Sequence, residues 1–440
     1  MVDVAEKINV QAQSVPKKKA IKAVAAVSIG NALEWYDFSV YAFFAIYISQ
    51  NFFPSGNSTV QLLSAFLVFG IGFIVRPLGA IVLGSYGDKA GRKSLLTWTT
   101  ILMAIGVLVI GLAPTYYAIG IGAPLIIVFG RILQGISAGG ELGGASTFLV
   151  EYASEENKGK YAAWLQASMA LSNILGALVA TIITAVLTQE QIVSWGWRIP
   201  FLIGVLIAPV GLYLRNALDE TPQFIKELNI QKEEKGNKKK LPLLQAIRKY
   251  PKELMVGTCF SILWVVCVYT LIIFMPTYVQ KTFHYSSFEA FISSLIANVF
   301  MFFGCLLSGL YSDRVGRRRI LLLAAGLQFV SIYPLLLVLQ HFHSIITLIG
   351  VQTIFCILVS IFVGVAPSAL SEIFPTSVRA TGVSLTYNIP NAVLGGFAPA
   401  ILTWFTEGLH SSYAPAWYVM LGIVVSFVAI ILLPRYKKAY

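Results

Sequence analysis

The sequence predicts an all-α membrane protein, with about twelve transmembrane helices in two pseudo-symmetric six-helix bundles. Three observations carry that prediction. The composition is 57% hydrophobic and only 12% charged, where a soluble chain carries about a quarter charged residues. Apolar stretches long enough to cross a bilayer as helices recur throughout, whereas barrel strands would be about ten residues of alternating character. Finally, a charged loop in the first half returns in the second at a fixed offset.

The chain opens on a polar, basic stretch with Lys17, Lys18 and Lys19. The apolar run behind it is too long for a cleavable signal peptide, so residues 1–20 are expected to form a cytoplasmic tail. Six spans with cores near 22–49, 60–84, 95–114, 121–152, 161–187 and 198–214 make up a first bundle, 21–216. A hydrophilic segment, 217–252, has the composition of a solvated linker around E-K-G-N-K-K-K. Contact of that basic stretch with anionic lipid is the alternative. Spans near 254–279, 288–311, 319–339, 345–371, 380–405 and 414–433 form the second bundle, 253–434, followed by a short tail, 435–440.

Charge sorts with this count. Of the 32 lysines and arginines, 28 fall in the termini and the even-numbered loops. The positive-inside rule then places both termini in the cytoplasm. The exceptions are Arg76 and Arg131 inside spans, and Arg198 and Lys281 near the opposite face. Cys259, Cys267, Cys305 and Cys356 are scattered through apolar segments and read as small hydrophobes, with no metal or disulfide pattern.

The first span, Val27 to Phe53, carries Glu34 and Asp37 near its middle. A carboxylate at that depth costs several kcal/mol, so it normally faces a protein-lined or watery interior. Helical spacing puts Asn31, Glu34, Asp37 and Tyr41 on one polar stripe, the mark of a pathway-lining helix. A buried pair that merely locks helices together is the plainer alternative.

Five charges sit within the predicted membrane, all in the first bundle: Glu34, Asp37 and Glu141 against Arg76 and Arg131. One carboxylate is therefore left over. Burial and a like-charged neighbour both favour the protonated form of a carboxylic acid, which suits a proton carrier. Fully structural ion pairs are again the alternative. Gly135, Gly139 and Gly143, spaced by four in span four, with Gly140 and Gly144, point to close helix packing.

The second bundle offers hydrogen-bonding groups instead of midplane charges: Asn298, Gln352, Tyr387, Asn388 and Asn391. Gln166 and Asn173 of span five join them from the first bundle. The expected cavity is charged on one wall and polar-aromatic on the other. Arg76 and Arg131 suit a carboxylate bidentately, while Trp264, Tyr269 and Tyr387 could offer aromatic faces to a quaternary ammonium.

The repeat is specific. Gly84, Asp88, Gly91 and Arg92 recur 225 residues later as Gly309, Asp313, Gly316 and Arg317, with Lys93 matched by Arg318. Glu151 precedes Lys158 by seven residues, as Glu372 precedes Arg379. Duplicated six-helix halves are an architecture of secondary transporters, which bind substrate near the midplane between halves.

These paired G-x-x-x-D-[RK]-x-G-R-[RK] loops resemble the signature of the major facilitator superfamily, and Arg131-Ile132-Leu133-Gln134-Gly135 is similar to its R-x-x-Q-G motif. G-N-x-x-E-W-Y-D-F, Gln134 to Glu141, Trp195 to Phe201 and Leu218 to Pro222 resemble the metabolite:proton symporter family. Its members import citrate, α-ketoglutarate, shikimate, or proline and betaine. Tyr86 and Tyr311 in place of Leu, and Lys89 and Lys158 in place of Arg, depart from the pattern without removing a required charge.

The resemblance implies the major facilitator fold and several roles. Arg92, Lys93, Arg317 and Arg318 would pair with Glu151 and Glu372, forming with Asp88, Asp313 and Arg379 a cytoplasmic gate. The resemblance also assigns Arg131 to proton coupling, to which the charge count above adds Glu34, Asp37 and Glu141 as candidates. Independently of the resemblance, the intramembrane polar groups expected to bind substrate are Arg76, Arg131, Gln134, Tyr41, Gln166, Asn173, Tyr387, Asn388 and Asn391.

The function expected is proton-coupled uptake of a small organic acid such as citrate by alternating access, with zwitterions such as proline or glycine betaine as the alternative. The protein would act as a monomer in the bacterial inner membrane, with protons as coupling ion, no cofactor and no nucleic acid. An ATP-driven pump or membrane enzyme is disfavoured. The chain has no G-x-x-x-x-G-K-[ST] loop, and His284, His341, His343 and His410 all lie at or near outward loops. A non-transporting sensor is disfavoured for want of an appended soluble domain. Osmosensing members of the family carry a long heptad-patterned tail, whereas this chain stops at Tyr440.

Overall fold

The computed structural model describes residues 17–90, 92–151, 157–216, 242–375 and 378–433. Residues 1–16 of the tail expected at 1–20, the tail expected at 435–440, most of the linker, and the side chains of Asp88, Arg92, Lys93, Glu141 and Glu151 lie outside the described residues.

Twelve helical rods run in chain order, and several are broken. Helix α1 (Lys17–Phe43) resumes after Phe44 as Ala45–Phe52; α2 (Ser58–Ile74) resumes as Arg76–Ala90. They are followed by α3 (Arg92–Leu112), α4 (Gly122–Glu151), α5 (Lys158–Val186) and α6 (Ile199–Asn216). In the second set, α7 (Pro251–Val268) passes through a wide π-turn, Tyr269–Ile273, into Met275–Thr282. Then come α8 (Ser287–Val315), α9 (Arg317–His341) and α10 (Ile345–Val363), the last resuming as Ala366–Ile373. Helix α11 (Arg379–Pro390) runs through a second π-turn, Asn391–Gly395, towards Ala398–Thr403, and α12 (Ala414–Leu432) closes the bundle.

Among the described residues, nine helices are long and apolar enough to cross a membrane. Rods α3 and α6 add shorter apolar helices, Thr97–Leu112 and Gly196–Leu206. Rod α1 is diluted by its lysines and two carboxylates. The expected span count therefore matches the rods, and the differences lie at their ends. One part of the predicted linker is not solvated coil: Pro242–Lys249 forms a short helix against α7 and α11, with Ala246 buried.

Local chemistry explains several boundaries. The Asn57 side chain accepts from the Thr59 and Val60 amides at 2.8 and 3.3 Å, capping α2. Ser286 and Glu289 form a reciprocal capping box at the start of α8. Gly316 ends α8 at φ +99°, in the left-handed region that favours glycine, so the chain turns directly into α9.

The bundles meet along two seams, α5 against α8 and α2 against the continuation of α11. Within the first bundle, Gly135 and Gly139 of α4 pack on the backbone carbonyls of Gly72 and Arg76, where a methyl group would overlap. This is the close packing expected at Gly135 and Gly139; Gly140, Gly143 and Gly144 lie outside the residues whose side-chain surroundings are described.

Candidate functional site

Both seams close around an aromatic centre. Trp35 of α1 contacts Tyr269 across the halves at 6.1 Å between rings, and Phe73 of α2 meets Tyr269 edge-on at 5.4 Å. Trp264 of α7 and Tyr387 of α11 lie 4.6 Å apart. Tyr269 and Asn391 each begin a π-turn. Such wide turns recur at functional sites because the extra residue re-aims the side chains beyond it. Trp35, Phe38 and Phe73, to which the sequence analysis gave no role in the site, complete this box; only their place beside the charges marks them.

The two intramembrane arginines have unlike surroundings. Arg76 is 1% exposed, with Nη2 3.8 Å from Glu34 Oε1 and its guanidinium over the rings of Phe73 and Phe38 at 4.3 and 4.7 Å. Among the described residues, Nε, Nη1 and Nη2 of Arg76 make no hydrogen bond. Arg131 instead donates to Gln134 Oε1 at 2.7 Å and to the Phe69 carbonyl at 3.2 Å. Rings of Tyr41, Phe38 and Phe69 cover its guanidinium at 4.6 to 4.8 Å. Desolvated cation–π contacts are each worth about 2 kcal/mol. Arg131 is thus enclosed, with Nε left without a hydrogen bond among the described residues, while Arg76 has none on any of its three nitrogens and lies close enough to Tyr269 and Tyr387 to act on both electrostatically.

The stripe on α1 does not serve a single wall. Asn31 donates to the Leu165 carbonyl and Ser168 Oγ of α5 at 2.9 and 2.8 Å. Glu34 faces Arg76, and the Tyr41 hydroxyl donates to the Ala65 carbonyl at 3.0 Å. Asp37, 5% exposed, turns towards α3 and α6, with Arg131 and Glu34 the charges acting on it. At 100° per residue a three- or four-residue step drifts by 40–60° either way, enough to aim neighbouring stripe members at different helices.

The amide side chains expected in the cavity are buried and only part-satisfied. Asn173 accepts from Ser39 Oγ at 2.5 Å, Asn298 donates to the Ser294 carbonyl at 2.9 Å, and Gln352 donates to Ser294 Oγ at 3.3 Å. Among the described residues, Gln166 Oε1, Asn173 Nδ2, Asn298 Oδ1, Gln352 Oε1, Trp264 Nε1 and the Tyr269 hydroxyl have no partner. Both amide atoms of Asn391 are also without one. Each such group costs about 1–3 kcal/mol unless something bonds it. Asn388, on a different side of α11 from Tyr387, is half-buried and donates to Ser384 Oγ at 3.1 Å.

At the end of the molecule where α5 begins and α8 ends, Asp313 bridges the halves. Its carboxylate accepts from the Gly159 and Lys160 amides at 2.8 and 3.0 Å, the first turn of α5. Such a site combines free N–H groups with the positive end of the helix dipole. Arg317 holds Asp313 at 3.3 Å and is ion-paired to Glu372. The arginine–glutamate pair expected of the gate is therefore present but lies within the second half. The tie across the halves is Asp313 on a helix N-terminus. Arg379 donates to the Phe374 carbonyl at 3.3 Å, and Arg318 makes no ion pair among the described residues. At the opposite end, Tyr47 hydrogen-bonds Ser287 at 2.9 Å, and Phe44 stacks on Phe291 at 5.9 Å. Contacts between the halves thus flank the centre at both ends.

Asp313→Asn keeps the shape but exchanges a charged acceptor for a neutral one, a loss of about 1–2 kcal/mol. The population is expected to shift about 5–30-fold towards forms open at this end. Maleimide labelling of a cysteine placed at Ala163, buried against Gly309, reads this in a background without the native cysteines. Labelling that stays unchanged would leave Asp313 a folding element alone.

Comparison with known proteins agrees with this architecture. The family model described as Major Facilitator Superfamily matches residues 27–399. A proline/betaine transporter of Escherichia coli (strain K12) is 34% identical over 417 residues, spanning 93% of this chain and 82% of that protein. A citrate-proton symporter of Klebsiella pneumoniae is 35% identical over 412 residues, spanning 93% and 90%. Among solved structures, the xylose transporter XylE from E. coli in a partially occluded inward-open conformation superposes with a TM-score of 0.77 at 17% identity, covering 96% of this chain and 100% of that one. That last likeness concerns the fold alone. The chain belongs to the Major Facilitator Superfamily and, within it, to the metabolite:proton symporter family.

Proposed function

We propose that this transporter takes up a small zwitterion, of the proline or betaine kind, together with a proton, by alternating access between its halves. The observation that carries the reading is the centre itself: one guanidinium with free donors, Arg76, beside a box of Trp35, Trp264, Tyr269 and Tyr387. A carboxylate satisfies Arg76 bidentately, and an onium group a few ångströms away finds aromatic faces with Glu34 close by. The unpartnered atoms of Asn391, Trp264 and Tyr269 are then available to the solute or its waters.

Citrate and other organic acids, expected from the sequence, fit this centre less well. A second and third carboxylate find no further open cation among the described residues, because Arg131 is enclosed by three rings and Gln134. Relatives named for citrate keep that reading in play.

In this account Asp37 carries the proton beside Arg131, Glu34 holds Arg76, and the Asp313 tie closes the cytoplasmic side. Both termini face the cytoplasm, the chain works as a monomer, and no cofactor takes part.

A thermal-shift panel of the purified protein tests the substrate class. Glycine betaine and L-proline are expected to raise the apparent Tm, since a ligand at a hundred times its Kd stabilises by about 2.7 kcal/mol. Choline, lacking the carboxylate, and citrate are expected to leave it in place. Stabilisation by citrate without any by the zwitterions would return the assignment to organic acids.

A further inference from the structure

Residues two apart on a helix lie about 200° apart, so Asp37 sits on the far side of α1 from Trp35 and the aromatic box. There it borders a cavity of about 30 Å³ between α1, α3, α4 and α6. That volume suits one water, and a buried water needs two to four polar partners. Glu34, Asp37, Thr99, Thr100 and Ser137 supply them around the wall. Ser137 Oγ donates to the Thr99 carbonyl at 2.6 Å and ties α4 to α3 beside it. Among the described residues no hydrogen bond is made to the Asp37 carboxylate, although the residue is only 5% exposed.

One glycine bounds this space. A Cβ on Gly204 of α6 would stand 2.7 Å from Asp37 Oδ1, and 3.4 Å from both the Tyr36 ring and Val107. The carboxylate of a short, 5% exposed aspartate cannot yield like the end of a long flexible chain. Any side chain here displaces Asp37 or fills its cavity. Among the described residues, the charged and titratable groups facing Asp37 are Glu34 and Tyr36 on α1 and Arg131 on α4. The Tyr36 hydroxyl is committed to the Pro200 carbonyl at 3.0 Å. The lining residues from α3 and α6 are all uncharged.

We propose that this cavity is a water-mediated proton passage between Asp37 and the side of the membrane carrying the basic loops, separate from the solute's path, with Gly204 keeping it open. From Asp37, beyond the middle of α1, the cavity extends to Thr99 and Thr100 in the N-terminal half of α3, the half nearer that side. In the transfer, the O–H bond of the protonated acid breaks and a lone pair of the cavity water takes the proton. The carboxylate stays beside Arg131, and the hydronium passes its proton to bulk water. Relay through one water is within the reach of ordinary acid–base chemistry. The inference rests on the reading that Asp37 carries the coupled proton. It goes beyond that reading by giving proton and solute different routes.

Two variants fill the cavity from opposite walls: Gly204→Ala from α6 and Ala104→Leu from α3, Ala104 being a lining residue. Reconstituted in liposomes, both are expected to lose accumulation driven by a one-unit pH gradient, about tenfold for one proton per solute. Both should keep solute counterflow, which needs no deprotonation. Normal accumulation by both overturns the passage, as does loss of counterflow alongside accumulation, the sign of a structural defect. An effect of Gly204→Ala alone overturns it too, since Gly204 would then act only by pushing on Asp37. An Asp37→Asn variant that still concentrates solute overturns the proton assignment, and the cavity with it. Failure of Asp37→Asn beside normal accumulation by the filled variants overturns the cavity and spares the assignment.

Discussion

Asp37→Asn is expected to abolish proton-driven accumulation while leaving solute exchange intact. One pH unit is worth about 1.4 kcal/mol, so symport with one proton supports about tenfold accumulation per unit. The amide mimics a permanently protonated carrier, which can shuttle loaded but cannot release its proton. No hydrogen bond is made to the Asp37 carboxylate among the described residues, so the isosteric change breaks none and the variant should fold. Glu34→Gln should behave differently. It removes the anion facing Arg76, which is 1% exposed, and breaking a buried pair from one side costs about 3–5 kcal/mol. That variant should lose yield, or lose exchange and accumulation together. Uptake and counterflow in liposomes, measured for each, separate the two roles. Exchange without accumulation in Glu34→Gln, beside intact coupling in Asp37→Asn, would reverse the assignment.

The second large effect concerns the arginines. Arg76→Lys keeps the charge but loses the planar fork that matches a carboxylate, and the half-saturating solute concentration should rise about tenfold, or 1.4 kcal/mol. Arg131→Lys should move that concentration far less, because three aromatic rings and the Gln134 and Phe69 oxygens already occupy its guanidinium. Its effect should fall on coupling, through Asp37. Equal losses of affinity in both variants would place the solute against Arg131 as well.

The sequence carried the fold further than the site. Span count and the gate loops were legible because each follows from local chemistry: apolar length, loop charge, and a glycine where φ must be +99° at Gly316. The presence of intramembrane charge pairs followed from counting charges. Their aim did not, because a stripe read at 3.6 residues per turn cannot say which neighbour each member meets. Asn31 went to α5, Glu34 to α2, and Asp37 to a cavity behind the helix. The π-turns at Tyr269 and Asn391 add a residue to the local turn and shift every later side chain. Gly204 was one of 36 glycines, with nothing in its neighbours to single it out. The gate motif's carboxylate at Asp313 was legible; its partner, the first turn of α5, is 154 residues away in the chain.

Uptake of labelled glycine betaine into liposomes holding the wild-type protein, under an inward-directed proton gradient and without ATP, tests the central claim most directly. The account predicts internal concentrations about tenfold above external per pH unit, for one proton per solute, collapsing when a protonophore is added. Betaine that merely equilibrates, or accumulation indifferent to the protonophore, would contradict it.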